Sequence, residues 1–440
     1  MARLCPFSAY RYDLSRVAAA DVLTQPYDKI SAAMRQRYLA ASPYNLVRVV
    51  LGEAEPGDSE RSNVYTRAAQ CLQDWMQQGL LRRDPEPAIY AYTQEFTPPG
   101  GGAAQLRRGF IALGRLEDYA NKVVFRHEQT LSGPKLDRQN LLRATRTHCG
   151  QIFMLYSDPS RQVERELLER ATNPVLDMSD EYGTRHRLFR ETDAGVIERL
   201  VGRMAPLPLI IADGHHRYET ALQWRNEQNA RAPQRDDRPW DWVMMSFINL
   251  DAPGLVVLPT HRLVFGLPQW DAGAAQARLA EFFEVTQADG RSDDSGAWPR
   301  LREQLQRAAA AGPALLAALQ GKPQVLLLRP RPGLDLAALL PDALPEQRQL
   351  DVVLLHALAL ERALGVTADM VREQRSLRYV KDAEEALQSV AVNAGQAAFL
   401  LNPTPPATVR DVALAGGVLP QKSTDFFPKL LTGLTLCRVD

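Results

Sequence analysis

Residues 213–217, Asp213-Gly214-His215-His216-Arg217, place an acid, two imidazoles and a guanidinium within one turn of chain. Each side chain type has a use at a phosphate. Arg217 is a planar fork suited to bidentate contact with phosphate oxygens. Imidazole titrates near neutrality, so His215 or His216 can donate a hydrogen bond or carry a proton. Asp213 can hold a Mg²⁺ ion arriving with a nucleotide, or serve as the base that prepares a hydroxyl nucleophile. Gly214 lets a ligand approach the backbone closely. Asp213 taken alone is explained about as well by capping a helix. The cluster as a whole is not, because an ordinary strand-to-helix turn needs no such set.

The elements on either side would aim these groups. The apolar run from Leu207 to Ala212, broken only by Pro208, predicts a short buried strand. Tyr218, Ala221, Leu222 and Arg225 then fall at i, i+3, i+4 and i+7, which is helical spacing. A strand, a glycine turn and a helix start are the parts of an anion site. The free N–H groups of the first helical turn point at what precedes them, and the helix dipole favours negative charge there.

Other clusters are weaker. Lys422-Ser423-Thr424 ends like a P-loop but lacks its glycines, so only a lysine with two hydroxyls remains as a phosphate contact. His261 follows Pro259 at the end of a predicted strand, where it can meet a ligand or simply cap the turn. A zinc site built from His127, His215, His216 and His261 has no ligand spacing to support it and ranks below phosphate binding. Dinucleotide, GxSxG and kinase signatures are missing from the sequence.

The chain has 440 residues, more than one core usually organises. Lys and Arg number 52, as do Asp and Glu, so no general pull toward nucleic acid or an anionic membrane is expected. The N-terminal stretch lacks the apolar core of a signal peptide, no run is long enough for a membrane span, and four scattered cysteines suggest reduced thiols. A cytoplasmic protein working on small molecules is the expectation.

Period-two and helical patterns alternate along the chain, which predicts a mixed α/β fold. Tyr44 to Leu51 reads as a strand from its β-branched residues, and Asp28 reads as the cap of a helix from Ser31 to Ala41. Helix is predicted from Ser59 to Leu81 and from Arg138 to Arg146. Strands are predicted from Ala88 to Phe96, Gly109 to Leu113, Ile152 to Tyr156 and Val243 to Leu250. The basic run from Tyr182 to Arg190 alternates and reads as a strand, either with its polar face on a ligand or, the commoner case, as a solvated edge. Four segments are expected: 1–120, a mixed α/β part; 121–267, the core with the Asp213–Arg217 turn; 268–345, an Ala- and Leu-rich accessory part; and 346–440, an α/β part returning Lys422 to the core.

Several motifs in fixed order carry a resemblance over nearly the whole chain. They are Pro6-Phe7, Pro26-Tyr27-Asp28, Asn45 with Arg48, Arg126-His127-Glu128 with Thr130, Asp137-Arg138, and Gly183 with Arg185-His186-Arg187-Leu188. Ala212 to Ala221, Pro259-Thr260-His261-Arg262 and Pro420 to Leu430 complete the set. The chain resembles the bacterial family DUF1015, which supplies no established reaction. Locally, the Asp213–Arg217 segment resembles the phosphate-binding motif of the ParB/sulfiredoxin superfamily, whose free serine kinases carry an Asp-Gly-His-His-Arg version. That resemblance implies a ParB/sulfiredoxin-like phosphate-binding core elaborated by additional mixed sheet and helices.

It further implies that Gly214, His215, His216 and Arg217 bind nucleotide phosphates, and that Asp213 matches the kinase acid. Glu128 is the assignment for the second acid. His215 stands where sulfiredoxins have cysteine, so sulfinate reduction by that thiol is excluded. The motif context assigns Arg126, His127, Arg185, His186, Arg187 and His261 to substrate. The function so implied is a nucleotide-dependent phosphotransferase, using ATP or ADP with Mg²⁺ on a small hydroxylated metabolite, free serine if the kinase resemblance extends that far. A phosphatase acting on a phosphorylated metabolite such as phosphoserine, and a non-catalytic ParB-like nucleotide switch, are the alternatives.

Overall fold

The computed structural model describes residues 1–128, 133–168, 171–231 and 237–440. Thr130 of the Arg126–Thr130 motif lies outside the described residues. The chain forms two compact units. The first comprises Met1–Arg126, Thr130–Val256 and Phe426–Asp440; the second comprises His127–Gln129 and Val257–Asp425. Among the described residues no helix is long and apolar enough to cross a membrane.

The first unit is built on a nine-stranded mixed sheet. Its strands are β1 (Leu4–Cys5), β2 (Ile89–Phe96), β3 (Gln105–Arg115), β4 (Val124–Phe125), β5 (Ile152–Tyr156), β6 (Leu176–Ser179), β7 (Arg185–Glu191), β8 (Leu209–Asp213) and β9 (Trp242–Asn249). They lie in the order β4-β8-β5-β9-β3-β2-β7-β6, with β1 beside β3. β8 runs parallel to β4 and antiparallel to β5. The centre is apolar on both faces: all five residues of β5 are buried, which is why an unbroken apolar run rather than an alternation marks it.

β7 corrects the reading of an edge strand, since it pairs with β2 on one side and β6 on the other. Its charges are accommodated by neighbours rather than by solvent alone, Arg185 by Asp177 and Arg187 by Glu95.

The helices of this unit include α1 (Ala32–Ala41), α2 (Val47–Val50), α3 (Val64–Gln77), α4 (Gly133–Thr145), α5 (Gln162–Leu168), α6 (Ala194–Met204) and α7 (His215–Arg231). Two expectations are overturned here. The cap of α1 is Ser31, whose Oγ accepts from the Met34 amide at 3.2 Å, while Asp28 sits in a separate 3₁₀ turn, Tyr27–Lys29. The stretch expected as a strand from Tyr44 to Leu51 instead contains α2. Buried Asn45 decides the matter: its Oδ1 accepts from the Val47 amide at 2.9 Å and its Nδ2 donates to the Asp21 carbonyl at 2.7 Å. A local side-chain bond of this kind starts a turn that outweighs the β preference of Val47, Val49 and Val50.

The second unit has a six-stranded sheet of β10 (His261–Val264), β11 (Phe283–Arg291), β12 (Leu315–Leu319), β13 (Lys322–Pro330), β14 (Leu377–Val380) and β15 (Ala397–Leu400), in the order β11-β13-β12-β15-β10-β14. The Ala- and Leu-rich stretch supplies three of these strands, and small alanines let Leu279, Leu305 and Leu358 pack closely on the sheet. A helix starts at Asp351 and widens to π geometry over Leu355–Ala363.

Candidate functional site

The strand, glycine turn and helix start are present at β8, Gly214 and α7. β8 ends irregularly, its register against β5 shifting between Ile211 and Asp213. Gly214 has φ +90°, where a Cβ is strained, and its amide donates to Asp213 Oδ1 at 2.7 Å. A Cβ on Gly214 would stand 2.9 Å from Arg217 Nη2, so the guanidinium lies against the bare Cα. Arg217 Nη1 in turn donates to the Gln151 carbonyl. α7 buries His215, Tyr218, Thr220, Ala221 and Trp224, and the Tyr218 hydroxyl donates to the Glu117 carbonyl at 2.7 Å. That anchoring fixes the direction of the helix N-terminus.

Asp213 is the carboxylate of a cationic cluster. Lys429 Nζ donates to Asp213 Oδ2 at 3.2 Å. Burial works to raise the Asp213 carboxyl, but Lys429, Arg217 and Lys29 outweigh it and hold the group far below the usual carboxylate range. All three cations act on the Asp213 carboxylate, and the positive end of α7 adds to them. Asp28 also lies 4.0 Å from Lys29. A narrow cavity of about 70 Å³ lies beside Arg217 and is also lined by Tyr27, Arg138, Gly150 and Thr220.

Lys429 falls within the Pro420–Leu430 motif, and the fold positions it firmly. Its carbonyl accepts from Gln94 Nε2 at 2.9 Å. Arg107, fully buried, donates to the Phe427 carbonyl at 3.1 Å, the Pro428 carbonyl at 2.5 Å and Gln94 Oε1 at 3.0 Å. Its guanidinium also lies 5.0 Å over the Phe153 ring. Burial brings the Arg107 guanidinium down to about 10, so it stays charged at neutral pH. Lys29, Gln94 and Arg107 had no assigned role. The signal available in the sequence was the pair Arg107-Arg108 just before the strand-like run from Gly109 to Leu113.

The remaining expected residues divide between the units. In the first, Arg126 lies 5.4 Å over the Tyr119 ring. Arg185 makes a two-point pair with Asp177, at 2.8 and 2.7 Å. His186 is fully buried, with Nδ1 2.6 Å from the Tyr92 hydroxyl and Nε2 3.2 Å from Asp180. His215 is buried and His216 half-buried in the first turn of α7.

In the second unit, His127 Nε2 is 2.9 Å from Thr424 Oγ1, and Glu128 bridges Leu419. Ser423 Oγ donates to the Pro420 carbonyl at 2.5 Å, and Lys422 has φ 55°. His261 is buried; its Nδ1 accepts from the Leu401 amide at 3.2 Å, and burial, then Arg262, pushes its imidazole down to about 4. Three sequence motifs, 126–128, 259–262 and 420–424, thus meet around buried Arg262, which donates to the Gln421 carbonyl at 2.9 Å and is near Glu128. Among the described residues no three His, Cys, Asp or Glu side chains are grouped as a metal site.

Residues 4–353 match the model of a family described as "Protein of unknown function (DUF1015)". No curated protein matches the chain. Among solved structures it is similar to a conserved hypothetical protein from Pyrococcus furiosus, at 13% identity and TM-score 0.34, covering 74% of this chain and 95% of that one. It is similar also to a free serine kinase in complex with AMP, at 13% identity and TM-score 0.36, covering 74% and 92%. A third is SbnI with a C-terminal truncation from Staphylococcus aureus, at 10% identity and TM-score 0.33, covering 74% and 87%.

Proposed function

The chain belongs to the DUF1015 family, and from its site we propose a nucleotide-dependent phosphotransferase acting on the hydroxyl of a small metabolite. The observation that carries this is the placing of Lys429 and Arg217, with Lys29 near, at the carboxylate of Asp213 and the N-terminus of the seventeen-residue helix α7. Phosphoryl transfer needs alignment and charge neutralisation more than covalent help. Gly214, His215 and His216 offer backbone and imidazole donors to the phosphates, and Arg217 and Lys429 neutralise their charge.

Mg²⁺ bound to ATP or ADP would take Asp213 as its one protein carboxylate, in keeping with the ion's preference for phosphate oxygens and water, and would supply further charge neutralisation. A carboxylate held so acidic is a weak base. Asp213 therefore orients the acceptor hydroxyl by accepting its hydrogen bond and does not strip its proton early, as a loose transition state permits. The motif resemblance makes serine the first acceptor to try. Arg126, Arg185 and His186, of the same unit as Asp213, are assigned to holding or shaping the substrate site.

The test is incubation with ATP or ADP, Mg²⁺ and a panel of amino and hydroxy acids, with products read by ³¹P NMR. Wild type is expected to form a phosphorylated acceptor, and Asp213→Asn to lose about 10²-fold in rate or more. Full activity in Asp213→Asn would refute the role given to that residue. Phosphate release from phosphoserine without nucleotide would replace the kinase reading by a phosphatase.

A further inference from the structure

The sheet of the first unit carries a second cleft that the phosphate chemistry leaves unused. Strand alternation puts Arg107 and Gln94 on the face that holds Phe427 to Lys429, and so puts Arg108 and Thr93 on the opposite face. In register across β3, β2 and β7, Arg108 pairs with Thr93 and Thr93 with Arg187. Two guanidinium side chains therefore flank one threonine hydroxyl in a row.

The N-terminal part of α5 and the loop before it add Ser160, Arg161, Glu164 and Arg165 above that row, enclosing a cleft of about 630 Å³. That size suits a small-molecule ligand. Glu164 is 7% exposed, with Arg108 and Arg161 near enough to act on its charge.

Three polar atoms lining the cleft are buried and have no hydrogen-bond partner among the described residues: Thr93 Oγ1, Glu164 Oε1 and Arg187 Nε. Leaving such atoms unmet is costly, and protein interiors rarely do so without a ligand or water to satisfy them. Thr93 is 6% exposed, so its hydroxyl is a built feature of the floor and not part of a solvated charge patch. The donors and acceptors differ in kind. Arg108 and Arg161 offer forks to an anion and Arg187, paired with Glu95 through Nη2, offers its unmet Nε, whereas Glu164 asks for a hydrogen-bond donor.

We propose that this cleft binds a small acidic metabolite that carries at least two negative charges and also presents a hydroxyl or amino group to Glu164. Its anionic groups sit between Arg108, Arg161 and Arg187, and the Thr93 hydroxyl bonds one of their oxygens. The site is distinct from the Asp213 cluster and stands whether or not phosphoryl transfer occurs there.

Calorimetric titration of the full chain tests it with four probes. These are 3-phosphoglycerate and citrate, which combine charge with a hydroxyl, and inorganic phosphate and glycerol, which each supply half of the pattern. Either or both of the first two should bind, and which one does tells phosphate ester from polycarboxylate. Arg108→Met, at an exposed side chain, should fold normally and weaken that binding by about tenfold, equivalent to about 1.4 kcal/mol. Glu164→Ala, which removes the acceptor, should also weaken binding, and raised salt should weaken it further. The proposal is overturned if neither probe binds, if inorganic phosphate binds as tightly as either, or if folded Arg108→Met binds like wild type.

Discussion

At the scale of single residues, the account turns on how Asp213 is held. Lys429 is the strongest of the cations acting on it, with Arg217 and Lys29 behind. Lys429→Met should let the Asp213 carboxyl move back up toward the ordinary range, seen in its ¹³C titration. Because two cations remain, the stability cost should be only about 1 kcal/mol. Nucleotide affinity should fall about tenfold, the loss of one charge-assisted contact. An unchanged affinity would remove Lys429 from the site. Gly214→Ala tests the turn: φ +90° is unfavourable for a Cβ, and that Cβ would press on the Arg217 guanidinium. A cost of about 1–2 kcal/mol in denaturant unfolding is expected, with weakened phosphate binding. Asp213, Gly214 and Arg217 were legible in the sequence because turn chemistry is local. Lys429, 216 positions from Asp213, was not, since nothing in a single sequence tells which distant lysine a carboxylate will meet.

Elements bring that lysine in. Arg107 and Gln94, on β3 and β2, grip the carbonyls of Phe427, Pro428 and Lys429. Arg107→Met would leave those carbonyls and the Gln94 amide oxygen without their donor. A loss of about 3 kcal/mol is expected, together with weaker nucleotide binding although Arg107 is given no contact with nucleotide. Wild-type nucleotide affinity in a folded Arg107→Met would show that the grip does not position Lys429. The strands were readable where burial is two-sided, as in β5, and the long helices where one face is apolar, as in α3. The reading failed at α2, where Asn45 set the backbone against the preference of three valines, and at β7, whose charges looked solvated but are paired across the sheet.

For the whole molecule, the burial of imidazoles sets the acid response. His148 and His261 are pushed down to about 4 and His356 to about 3, each chiefly by burial. The unfolded chain takes up protons near pH ~6.5 that the folded chain refuses, so their contribution is full above that pH and is lost as pH falls through about 4. Asp351 opposes them, burial raising it to about 6, so that its contribution is present in acid and lost as pH rises through that value. Three imidazoles against one carboxyl predict that unfolding midpoints fall between pH ~6.5 and ~4; a midpoint flat across that window would contradict the burial of these side chains. None of these imidazole environments was readable from the sequence, because they depend on which surfaces each sheet covers. The central claim, a nucleotide phosphate site at the start of α7, is met most directly by a crystal structure of the full chain grown with ATP and Mg²⁺. The account predicts a phosphate group against the Gly214 and His215 amides, between Arg217 and Lys429; nucleotide bound elsewhere, with Lys429 still on Asp213, would contradict it.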